Sequence, residues 1–77
     1  MSDRRLPASR AKRVLAAFEK LGFVVVRQKG SHRFLRHPDG RVFTFGFHDK
    51  ATLGHAMLVK LAGQAGVDPA QLRLLLG

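Results

Sequence analysis

Apolar residues recur at helical spacing at Val14, Leu15, Phe18 and Leu21, while Arg10, Lys12, Arg13, Glu19 and Lys20 occupy the other faces. This periodicity predicts an amphipathic helix with one core-facing stripe. Ser9 is placed to cap it, since a hydroxyl can accept an unpaired N–H of the first turn. Gly22 ends it in a left-handed turn that returns Phe23 onto Phe18. The pattern then changes. Residues 23–28 are β-branched and bounded by Gly22 and Gly30, which predicts a strand. Segments 32–37 and 41–48 flank His37-Pro38-Asp39-Gly40-Arg41, where Pro suits the first turn position and Gly the left-handed one, so they form a hairpin. With a one-residue bulge at Gly40, His37 pairs with Arg41, Leu35 with Phe43, Phe34 with Thr44 and His32 with Gly46. A tighter Asp39-Gly40 turn would instead pair Phe34 with Phe45.

The first register sorts the sheet into two faces. Leu35, Phe43, Phe45 and Phe47 form a core side; His32, Phe34, Arg36, Val42, Thr44, Gly46 and His48 form an open, more polar side. A second helix over 53–65 carries Leu53, Met57, Leu58, Leu61 and Ala65 on one stripe, with Thr52 a candidate cap and Gly66 its stop. Asp68 caps a short last helix, with Pro69 in its first turn and Leu72, Leu75 and Leu76 as its apolar edge. The order is helix, three antiparallel strands, helix, short helix. The expected class is α+β, with both long helices on the Leu35 and Phe45 face and the other face free. This α-β-β-β-α layout matches that of double-stranded-RNA-binding domains, an analogy of fold and not of function.

Composition narrows the class. Seventy-seven residues allow one domain and exclude a multi-domain enzyme. Residues 1–6 are expected to be flexible. A chain this short hides only ~60% of its unfolded surface, so stability on the order of 4–11 kcal/mol is expected. The absence of cysteine removes disulfides and thiolate zinc sites and fits a reducing compartment; with no membrane-length apolar run, a cytoplasmic protein is expected. Fourteen Lys and Arg against five Asp and Glu leave a net charge of +9. On a small domain such a field points to a polyanion, nucleic acid before acidic lipid or acidic protein.

Four histidines could carry chemistry. His37 adjoins the turn and His55 opens a helix, and both read as structural or solvated. His48, at the end of the third strand, is open between structural and functional roles. His32 follows the permissive Gly30-Ser31 pair and projects from the basic face. Without cysteine, with few acids and with no zinc-like spacing, neither metal nor cofactor is expected. A serine triad is disfavoured because Ser31 and His32, as strand neighbours, point to opposite faces. RNA cleavage needs less, because the substrate's 2′-hydroxyl is the nucleophile. An imidazole with an ordinary pKa near ~6.5 can take its proton or protonate the leaving oxygen, an effect worth roughly 10²- to 10⁴-fold. Arg27, Lys29, Arg33 and Arg36 are placed to hold phosphate, and Ser31 joins them as an RNA contact.

The run Gly22-Phe23-Val24-Val25-Val26-Arg27-Gln28-Lys29-Gly30-Ser31-His32, the turn His37-Pro38-Asp39-Gly40-Arg41, a strand ending in His48, and Leu58 followed by Gln64-Ala65-Gly66 together resemble the HicA family of bacterial toxins. The resemblance runs from about Leu6 to the C-terminus. It implies an endoribonuclease that cleaves messenger RNA, a double-stranded-RNA-binding-domain-like fold, and a HicB-like antitoxin partner; with no metal expected from the residues, the preferred reading is a metal-independent endoribonuclease. The family's catalytic histidine falls on His32, and its second frequent histidine on His48. Two positions depart from the family pattern: Gly46 stands where Pro is common, and Ala56-Met57 where Gly-Thr is common. The alternative function is a non-catalytic RNA-binding module using the same basic sheet face. An adaptor for an acidic protein is a weaker third reading.

Overall fold

The computed structural model describes residues 5–77. A two-residue strand β1 (Ser9–Arg10) leads into helix α1 (Ala11–Lys20). Strands β2 (Val24–Lys29), β3 (His32–Arg36) and β4 (Val42–Gly46) form an antiparallel sheet in the order β2-β3-β4. A second short strand, β5 (Thr52–Leu53), pairs with β1, and helices α2 (His55–Ala65) and α3 (Pro69–Leu76) complete the chain. The α+β, double-stranded-RNA-binding-domain-like layout is as expected.

The hairpin register is also as expected. His37 and Arg41 close the turn, with the His37 N–H donating to the Arg41 carbonyl at 2.8 Å, and Leu35 faces Phe43, Phe34 faces Thr44 and His32 faces Gly46. Gly40 has φ +99°, the left-handed conformation the turn requires. The tighter-turn alternative is therefore discarded.

Phe18 from α1 meets Phe43 at 4.8 Å between ring centroids and Phe23 at 6.0 Å, Leu58 and Leu61 enter from α2, and Leu72 and Leu76 from α3. Leu35 and Phe45 lie beneath them, fully enclosed. Burying a Leu or Phe is worth about 1.5–3 kcal/mol, so this cluster is the main source of stability in a chain without cross-links. No helix among the described residues is long and apolar enough to cross a membrane.

Both helix starts differ from expectation. Ser9 is not a side-chain cap: it is buried, its Oγ donates to the Pro7 carbonyl at 2.9 Å, and Arg10 takes the cap position. The carbonyls of Ala51 and Asp49 satisfy the N–H groups of Ala11 and Lys12 instead, at 2.7 and 3.1 Å. Thr52 and Leu53 lie in β5, so α2 begins two residues later, with Gly54 at the cap. Met57 is exposed, and Ala62 takes its place in the buried stripe. One end of the expected flexible segment is fixed: Leu6 is buried and donates its N–H to His55 Nδ1 at 2.8 Å. Residues 1–4 lie outside the described residues. Asp68 caps α3 as expected, accepting from the Ala70 N–H at 2.9 Å.

Candidate nucleic-acid interface

The open face of the sheet is built in three rungs. Val24, Arg36 and Val42 form one, Arg27, Phe34 and Thr44 the next, and Lys29, His32 and Gly46 the last. A bulge in β2 between Val25 and Arg27 makes this order. In a regular strand Arg27 and Lys29 would share the buried side of Val25. The extra residue, Val26, shifts the alternation, so Arg27 and Lys29 stand beside Phe34 and His32. Sequence alternation alone could not show this, because three consecutive valines look alike.

β2 and β3 are joined by Gly30-Ser31, with Gly30 at φ +60° and Ser31 outside the left-handed region, the pattern of a tight II′ hairpin. That turn places Lys29 and His32 opposite each other as the first pair. The His32 ring extends across β4, where Gly46 has no side chain to oppose it. It reaches an open groove of about 260 Å³ walled on one side by α2, with Thr44, Phe47, Lys60 and Gln64 among the lining residues. Lys60 is a cation that sequence reasoning missed. It is distant from His32 in the chain, and its only signal there was exposure beside the α2 stripe.

The expected site residues divide into two places. His32, Lys29, Arg27 and Arg36 share the open face, with Arg27 lying 5.8 Å over the exposed Phe34 ring. Arg36 is two rungs from His32, roughly 13 Å along the strand at about 3.3 Å per residue. Arg33 points to the opposite side, where its Nη2 donates to Asp49 Oδ1 at 3.0 Å and its buried Nη1 has no partner. Ser31 and His48 line a second groove with Arg33, Asp49 and Lys50. β4 ends at Gly46, so His48 is in a loop and not on the strand, and it does not share the His32 groove.

The other two histidines hold the fold. His37 Nε2 is 3.0 Å from the Leu21 carbonyl, its Nδ1 accepts the Asp39 N–H at 3.2 Å, and its ring packs on Phe23. His55 holds the Leu6 N–H. Asp39 also takes the Arg41 N–H at 3.1 Å and its guanidinium at 2.8 Å. The Arg41 N–H above all, and beyond it the Arg41 guanidinium, outweigh desolvation and hold the Asp39 carboxyl below its usual value. Among the described residues no three His, Cys, Asp or Glu side chains cluster as a metal-binding set.

The family model for the HicA toxin of bacterial toxin–antitoxin systems matches residues 11–67. The chain belongs to the HicA toxin family. No curated protein matches it. The HicA match spans α1, the whole sheet and α2, so it includes every rung of the open face and the Lys60 wall of the groove. Membership makes the protein a toxin with a cognate antitoxin, in a family whose members are generally ribonucleases.

Proposed function

We propose that this HicA-family protein is a metal-independent endoribonuclease that cuts messenger RNA, with His32 as the proton-transfer residue. The observation that carries the reading is the exposed His32 ring in a groove walled by Lys60 and Gln64, beside Lys29 and over Gly46. A phosphodiester in that groove meets the Lys60 ammonium that lines it, with Lys29 beside His32 on the neighbouring strand, and these cations offset the charge that develops on phosphorus oxygens during attack.

The RNA supplies its own nucleophile. The 2′-oxygen forms a bond to the adjacent phosphorus, the bond from phosphorus to the 5′-oxygen breaks, and the products are a 2′,3′-cyclic phosphate and a 5′-hydroxyl. His32 moves the proton between the two oxygens. Lys29 and Lys60 hold the phosphate, and Arg27 and Arg36 meet phosphates further along the open face. The cognate partner is a HicB-like antitoxin that silences the site.

Purified His32→Ala should keep its circular dichroism and much of its RNA affinity while losing cleavage, because the substitution removes a proton carrier and leaves the cationic field. Wild-type activity should survive excess chelator and yield cyclic-phosphate ends. Cleavage by the variant at the wild-type rate would remove His32 from the mechanism. Binding without cleavage by the wild type would favour the RNA-binding module, for which the exposed Phe34 offers a stacking surface.

A further inference from the structure

A second group of unneutralised cations lies away from the three rungs. Arg10, Lys12 and Arg13 at the start of α1 and Lys50 in the loop between β4 and β5 line a groove of about 580 Å³. All four are exposed, and among the described residues none has an ion-pair partner. The carboxylate in the groove, Asp49, is already held by Arg33 at 3.0 Å. Four like charges in one groove repel one another, so the fold gains nothing from gathering them, whereas a polyanion gains a focused field.

Continuity gives the groove a direction. It shares Asp49 and Lys50 with the neighbouring groove that reaches Ser31 and His48, and that groove shares Phe47 with the one containing His32. The result is a track from the start of α1, around the end of the sheet, to His32.

We propose that this track is an extended subsite for the phosphate backbone of single-stranded RNA, with Lys12, Arg13 and Lys50 each holding a phosphate remote from the cut. It rests on the reading that RNA is the substrate. A protein partner is less suited to it, because interface cores are depleted of Lys and built on apolar anchors. A duplex is less suited as well: the track passes from the helical layer to the opposite face of a molecule measuring 40 × 28 × 17 Å, and double helices resist such bending. A single strand follows it freely.

Fluorescence anisotropy with a single-stranded oligoribonucleotide of about a dozen nucleotides tests the track. Methylating every 2′-oxygen prevents cutting, so binding is read independently of catalysis. Lys12→Gln, Arg13→Gln and Lys50→Gln combined should weaken binding on the order of a hundredfold at about 0.1 M salt and flatten the log–log salt slope by about 2, at about 0.7 per lost contact. Lys20→Gln, at the other end of α1, should leave the slope unchanged. An unchanged slope in a triple variant with wild-type circular dichroism overturns the track. So does a triple variant that keeps RNA and loses the antitoxin, which would make the groove a protein interface. A wild type that shows the slope but never cuts unmethylated RNA would defeat the ribonuclease reading and leave the track standing.

Discussion

The imidazole of His32 lies across the bare α-carbon of Gly46, so close that a β-carbon there would stand 3.0 Å from Cδ2 and 3.1 Å from Nε2. Gly46 sits in β4 with no positive φ, so its backbone suits any residue and only the ring opposes a side chain. Gly46→Ala should therefore leave stability unchanged or raise it by up to about 1 kcal/mol, since glycine weakens strands. The ring must shift by a few tenths of an ångström, and cleavage should fall about tenfold, with Gly46→Val worse. Thermal unfolding and initial cleavage rates, measured together, read the split. Full activity in Gly46→Val would show that the ring's seat is irrelevant.

The Pro-Asp-Gly turn ties the sheet to the ends of two helices. His37 reaches the Leu21 carbonyl after α1, while Arg41 donates to the Gly66 carbonyl after α2 at 2.6 Å. A cation there also complements the helix dipole. His37→Ala and Arg41→Ala should each cost about 1–2 kcal/mol in urea unfolding, with RNA cleavage retained at temperatures where the variants are folded. The pH dependence follows from Asp39, whose folded pKa lies below its ordinary value of 3.8. Its contribution is fully present above the ordinary value and is lost as pH falls through the lower, folded one. Asp39→Asn should thus be less stable than wild type at neutral pH, and the two should converge at the acid end. Parallel curves across the whole range would contradict the ion-pair account.

The features legible in the sequence were those set by local chemistry. His37-Pro38-Asp39-Gly40-Arg41 restricts the hairpin to two turns, and the bulged one that the chain adopts fixes the β3–β4 register and hence the face on which His32 stands. The helix starts were misplaced because Ser9 and Thr52 have cap chemistry, yet the chain uses both in a two-strand ladder that exists only after folding. Lys60 and the track past Lys50 depend on which helix flank meets which strand edge, and no periodicity records that. Arg33 looked equivalent to its neighbours until strand alternation placed it with Asp49.

Val26, 60% exposed, is the residue that turns Arg27 and Lys29 outward. Deleting it should leave Val25 opposite Leu35, Arg27 opposite Phe34 and Lys29 opposite His32, because the bulge is the only irregularity between them. Removal of a residue from mid-strand is then tolerated, within about 1 kcal/mol of wild type, with the RNA salt slope unchanged. Cross-strand nuclear Overhauser contacts between residues 27 and 34 check the register directly. An unfolded deletion variant, or one in which Arg27 becomes buried, would refute this account of the face.

The antitoxin should occupy the open face from its apolar end. Val24, Val26 and Val42 are 57%, 60% and 64% exposed around Arg36, a concentration of apolar surface that a protein partner can bury and an RNA backbone cannot use. From there the partner needs to cross two rungs to cover His32, and a partner with acidic groups would meet Arg27 and Lys29 on the way, gaining a steered encounter. Bound antitoxin should therefore slow hydrogen exchange in β2 and β3 and compete with RNA at His32. Val42→Lys should weaken the complex at least about tenfold while cleavage by the free toxin persists, since Val42 lies on the rung furthest from the imidazole. If RNA were still cut within a stable toxin–antitoxin complex, occlusion would be excluded, and inhibition in the cell would have to act elsewhere than on this face.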